Sequence, residues 1–186
     1  MMKAGLLASR RAAIMIRPMA NTLFDEALDG WRYTRHGVIA ELENIPAESF
    51  DFSPAPGVRT VAELARHIIE SGMVMAGELT RPDGDFTRKP YPEFLKEYAS
   101  GLDPGHDKGT LIGLLRNTLE AGTASFRKAG DILMVERITQ FNGQPATRLS
   151  WMSHGVAHEE YHRGQLCVYA RLLGRVPALT QQIHGT

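Results

Sequence analysis

Residues 151–173 read WMSHGVAHEEYHRGQLCVYARLL, and this stretch decides the fold class. It runs without a break as a helix until Gly174 and Pro177 end it. His154, His158 and His162 recur every fourth residue along it. At 100° per residue, neighbours in that series lie about 40° apart on one face, one turn up. Two imidazoles at that spacing can reach one ion, so the helix carries chemistry as well as architecture.

Three more helices lie upstream. The first covers about 22–44, with Phe24, Leu28, Trp31, Val38, Leu42 and Ile45 at helical spacing, Asp25 and Glu26 in its first turn, and Pro46 as its stop. The second covers about 61–79. Thr60 and Glu63 form a capping box, Val61, Leu64, Ile68, Met75 and Leu79 form the apolar stripe, and Arg81-Pro82-Asp83-Gly84 ends it. The third covers about 108–129, with Leu111, Leu115, Leu119 and Phe126 inward and Gly130 as its cap. Residues 82–106 are rich in Pro and Gly, with a short helix expected at 92–99. So long a link lets the second and third helices run parallel. Asn142-Gly143 is a turn signal, so 135–139 and 146–149 are expected to pair as a small hairpin.

The organisation is a single all-α domain over 21–180, a four-helix bundle, with 181–186 as a tail. Residues 1–20 carry Lys3, Arg10, Arg11 and Arg17 and no acid. Arg10 and Arg11 split their apolar stretches, so the segment reads as a disordered leader, or as an upstream start with Met15 or Met19 as the true one.

Bulk composition narrows the function. The 186 residues contain 21 Lys plus Arg and 21 Asp plus Glu. A neutral chain without a basic stripe has no field to gather nucleic acid. No apolar run nears the roughly 18 residues that span a bilayer. The one cysteine, Cys167, rules out an internal disulfide and a thiolate cage; it suits a reducing compartment, and the cytoplasm is the expected location.

Two imidazoles seldom hold an ion alone. His67, in the middle of the second helix at the edge of its apolar face, is the best third donor. His36 lies beside Arg35, and His106 and His184 lie outside the four helices. Three neutral histidines would leave a divalent ion its full charge and open positions, which is a catalytic pattern, since a structural site is closed. Imidazole suits several metals; zinc or nickel is expected first, with iron or manganese behind them.

The segment His158-Glu159-Glu160-Tyr161-His162-Arg163-Gly164-Gln165-Leu166 resembles the signature of the DinB-like superfamily, His–x3–His–Arg–Gly–Gln on the last bundle helix. Residues 60–71 resemble that family's second helix, which carries its other histidine, and the exit 172–177 also fits. The resemblance covers roughly 20–180. It implies an up-down-down-up bundle, a divalent ion on His67, His158 and His162, and a homodimer. Characterised relatives include thiol transferases that use bacillithiol, mycothiol or glutathione, and a mycothiol-dependent isomerase. The resemblance takes His158 and His162 as the pair and leaves His154 to line the pocket or face solvent.

Other residues carry secondary expectations. Gly164 permits a close helix approach. Arg163 makes an ion pair or grips an anionic substrate. Gln165 hydrogen-bonds the far nitrogen of a ligand ring or the backbone. Glu70 is the candidate outer carboxylate or general base, since Glu63 is committed to its cap. Trp151 walls the pocket or joins the core. Cys167, about 140° around the helix from His162, is a packed thiol. The expected activity is metal-dependent transfer of a low-molecular-weight thiol to a small molecule. Metal-dependent hydrolysis and a non-catalytic dimeric metal-binding bundle are the alternatives.

Overall fold

The computed structural model describes residues 22–103 and 105–185. The expected leader lies outside them. In chain order the elements are α1 (Leu23–Asn44), a 3-10 turn (Ala47–Ser49), α2 (Val61–Thr80), α3 (Tyr91–Ala99), α4 (Lys108–Val135), β1 (Arg137–Thr139), β2 (Pro145–Thr147), α5 (Arg148–Leu172) and α6 (Ala178–His184).

The helix starts follow from side-chain caps. Thr22 with Asp25, and Thr60 with Glu63, form complete capping boxes at α1 and α2. Asp107 caps α4, and Thr147 caps α5 by accepting from Ser150 N at 3.1 Å. That last cap starts α5 three residues before Trp151, so Arg148 and Leu149 are helical where a strand is expected. The hairpin itself forms, with Ile138 opposite Ala146. At Gly130, φ is 78°, which only glycine adopts freely. The helix breaks there as expected, then resumes for one turn, so Val135 is helical and not a strand residue. Residues 181–184, expected as tail, belong to α6, whose free N–H groups at Ala178 and Leu179 donate to the buried carboxylate of Glu41.

Cross-helix contacts fix the directions. Phe24 meets Phe126 and Glu43 pairs with Arg116, so α1 and α4 are antiparallel. Trp31 bonds Glu159, and Asn44 reaches past the end of α5 to Val176, so α1 and α5 run together. His67 meets His158, while Tyr169 donates to Arg59 O just ahead of α2, so α2 and α5 are antiparallel. The order is up-down-down-up, and α1 and α2 stand at diagonal corners, with α4 and α5 between them.

The core has two apolar clusters. One contains Val38, Ile69, Leu115 and Leu166, and the other Trp31, Val74, Leu119 and Met152. Each fully buried aliphatic or aromatic side chain contributes about 1.5–3 kcal/mol. Between the clusters lies a polar layer at mid-height, where Arg35 of α1 meets Glu159 of α5 beside Gly72 of α2. Arg148 donates to the carbonyls of Leu79, Arg81 and Pro82, closing the end of α2. Among the described residues no helix is long and apolar enough to cross a membrane.

Candidate metal centre

His67 on α2 and His158 and His162 on α5 bring their rings together at mid-height. His158 Nε2 stands 3.3 Å from His67 Nε2 and 3.0 Å from His162 Nε2. One donor atom from each ring falls within 4.8 Å of the others. Two nitrogens bound about 2.0–2.1 Å from one ion at a tetrahedral angle stand roughly 3.3–3.4 Å apart, so the set fits a common ion. Three ring nitrogens facing one another cannot all be satisfied by hydrogen bonds among themselves; a shared cation relieves their lone-pair repulsion. No further His, Cys, Asp or Glu completes the group among the described residues.

The protonation states suit ligation. Burial pushes His67 and His158 down to about 4, helped by the Arg59 charge at His67 and by the neighbouring His162 at His158. Burial also lowers His162, against a hydrogen bond to Gln165 that raises it. Gln165 Oε1 lies 2.8 Å from His162 Nδ1. An oxygen there accepts from Nδ1–H, which leaves the lone pair on Nε2, the atom that faces the other two rings.

The remaining expected residues divide. His154 is exposed and stacks on Trp151, with centroids 4.4 Å apart, and both line a cleft next to the three rings. Arg163 faces α1: it pairs with Glu160 at 3.1 Å, covers Gly37 and lies against the Tyr33 ring. Glu70 neither lines the cleft nor hydrogen-bonds a histidine. Gly164 is a correction. A methyl group there would meet nothing, whereas one at Gly72 would crowd Arg35 and Glu159, and one at Gly155 would strike Met75. The close approaches are at those positions because they face other helices, while Gly164 faces outward. Burial and the Glu41 carboxylate push the Cys167 thiol up to about 11, which fits a packed thiol.

Two features had no expectation, Trp151 in the second apart. The first is Glu159, the residue after His158, which is buried and held by Arg35 and Trp31. The second is the cleft wall. Phe86 precedes α3, Tyr91 opens it, Phe141 sits on the hairpin turn, and Trp151 lies on α5. The cleft holds about 380 Å³ and reaches His67 and His158. Its Phe and Tyr residues fall in segments whose helical periodicity is weak, so only Trp151 carried a signal.

Comparison with known proteins gives a consistent relationship. Among solved structures, a DinB-like protein from Bacillus subtilis is 19% identical with a TM-score of 0.61, covering 81% of this chain and 93% of that one. A DinB-like protein from Bacillus cereus is 21% identical with a TM-score of 0.62, with the same coverage. YfiT from Bacillus subtilis, described as a probable metal-dependent hydrolase with an unusual four-helix bundle topology, is 17% identical with a TM-score of 0.62 over 92% of this chain and 95% of that one. No curated protein matches. The family model of the DinB superfamily matches residues 31–166, which hold both helix α2 and the His–x3–His–Arg–Gly–Gln segment, and the chain belongs to that superfamily.

Proposed function

We propose that the protein is a divalent-metal-dependent enzyme that uses His67, His158 and His162 as ligands and activates a small nucleophile at the end of the aromatic cleft. The observation that carries this reading is the convergence of three Nε2 atoms beside an open cleft, with no fourth protein donor among the described residues. When bound, the ion supplies Lewis acidity, lowering the pKa of a water or thiol and polarising a carbonyl. The chain's own residues do the rest. The three rings stay neutral and present lone pairs, Gln165 fixes the tautomer of His162, and the apolar walls exclude competing water. Zinc or nickel is the first choice of ion, followed by iron or manganese.

The preferred nucleophile is a low-molecular-weight thiol. Arg59 and Gln165 line a separate polar depression next to His162, where the carboxylate of such a thiol could be held. Water is the second reading, favoured by the description of YfiT as a probable metal-dependent hydrolase. A homodimer would bury the exposed row Tyr161, Val168 and Leu172 on the outer face of α5.

Metal analysis of the purified protein tests the first step. About one equivalent is expected, falling on His162→Ala. A content below about 0.2 equivalents that His162→Ala leaves unchanged overturns the reading. Turnover of esters or amides without any thiol selects water and rejects the transferase.

A further inference from the structure

The cleft beside the three histidines has a composition that the bundle itself does not require. Four aromatic rings wall it: Phe86–Phe141 centroids are 4.8 Å apart, Phe86–Trp151 5.5 Å, and Phe141–Trp151 and Tyr91–Phe141 each 6.1 Å. They come from the connection after α2, the start of α3, the hairpin turn and α5. The backbone bond from Phe86 N to Thr139 O, at 3.0 Å, ties the first of these segments to the hairpin. Phe141 is 47% exposed, so a large apolar ring stands at the cleft mouth with one side uncovered.

Among the described residues no lysine or arginine contributes to the lining, and its one carboxylate, Glu159, is already bound by Arg35 and Trp31. A carboxylate entering this space would lose its water and meet no lysine or arginine, and an ammonium would find no free carboxylate to pair with. The Ser71 and Tyr91 hydroxyls, 3.0 Å apart, offer one polar spot on the wall. The volume of about 380 Å³ lies toward the small end of ligand cavities, roughly 300–1,000 Å³.

We infer that the substrate carries an uncharged aromatic group of one or two rings, which packs against Phe86, Tyr91, Phe141 and Trp151 and directs its reacting end to the three histidines. The second half of this statement rests on the proposed metal site; the first half does not. Ser71 and Tyr91 accommodate a ring hydroxyl or ether, and the aromatic walls select against a carboxylate on the ring.

Three probes of one shape test it: 2-naphthol, 2-naphthoate and 2-naphthylmethylammonium, titrated into chelator-treated protein by calorimetry and by tryptophan fluorescence. The chain has two tryptophans, of which Trp31 is buried in the core and Trp151 lines the cleft. The naphthol is expected to bind at least about tenfold more tightly than either ion and to change Trp151 emission. Phe141→Ala should weaken it at least about fivefold in a variant that stays folded at the assay temperature, with Phe141→Leu in between. Absence of naphthol binding, tighter binding of either ion, or indifference to Phe141→Ala overturns the inference. Naphthol binding by a protein that never takes up metal would sink the metal reading and keep this one. Metal uptake without naphthol binding would do the reverse.

Discussion

Arg35 and Glu159 meet across the α1–α5 contact as a two-pronged ion pair, with Nη2 2.5 Å from Oε1 and Nε 2.9 Å from Oε2, and both side chains are fully enclosed. Trp31 Nε1 donates to the same carboxylate at 2.8 Å, and Arg35 Nη1 donates to Leu115 O and Thr118 Oγ1. All four bundle helices contribute to this layer, since Gly72 of α2 leaves room for the guanidinium. Glu159 directly follows His158, so the pair also sets the rotation of α5 about its axis. Removing one charge strands the other. Glu159→Ala is expected to cost about 3–5 kcal/mol, while Arg35→Met with Glu159→Leu recovers much of that loss. Urea unfolding of the two variants checks the order; equal losses would mean that the charge is not stranded.

Two glycines on adjoining helices should respond in opposite directions. A methyl group at Gly72 would lie 2.6 Å from Arg35 Nη2 and 3.2 Å from Glu159 Oε1, so Gly72→Ala must displace the pair and is expected to cost about 1–3 kcal/mol. At Gly164 a methyl group meets open space on a helix, so Gly164→Ala should stabilise by about 1 kcal/mol. Thermal melts of both variants, with metal content measured alongside, provide the check.

Local signals account for what the sequence revealed. Thr60 and Glu63 cap α2 through bonds spanning three residues, and the His158–His162 spacing is a property of a single helix. His67 could be chosen because the edge of an apolar stripe faces a cleft. Glu159 was invisible for the opposite reason: its partner Arg35 is 124 residues away, and a buried ion pair leaves no periodicity. Gly164 was misjudged because a glycine inside a motif does not reveal which way it faces. The aromatic wall escaped because Phe86 and Phe141 lie in irregular segments that only the tertiary fold brings together.

Gln165 should act on metal affinity with little effect on the fold. Its carboxamide touches His162 Nδ1 at the rim of the bundle and caps no backbone group. Gln165→Leu frees the ring to rotate and to hold its proton on either nitrogen, and is expected to weaken metal binding about 10–100-fold. Competition against a chromogenic chelator measures this directly. The same loss should appear in melting curves: metal at 100 times its Kd stabilises the wild type by about 2.7 kcal/mol, and the variant by less at the same metal concentration. Equal stabilisation of both proteins would remove Gln165 from the site.

Glu78 should make the cleft wall sensitive to acid. Its carboxylate, buried at the end of α2, accepts from Arg88 at 2.8 and 2.6 Å, from Asp85 N at 2.7 Å and from Tyr98 Oη at 2.7 Å. These bonds hold the connection and α3 against α2, and so position Phe86 and Tyr91. Burial pushes the Glu78 carboxyl up, but the hydrogen bonds from Arg88, Asp85 N and Tyr98 outweigh it, and the net shift is downward from 4.5. A carboxyl with a depressed folded-state pKa stabilises the fold fully above its unfolded value, and that contribution fades as pH falls through the lower folded value. Stability should therefore be level in this respect above about pH 5 and decline below 4.5. Glu78→Gln is expected to cost about 1–3 kcal/mol at neutral pH by leaving Arg88 only Glu97 as a charged partner, and to flatten the acid decline in part. Urea unfolding from pH 3 to 7 decides it: a variant that keeps the full wild-type slope below pH 4.5 would place the acid sensitivity elsewhere. Loss of naphthol binding in step with that decline would tie the aromatic wall to this carboxylate.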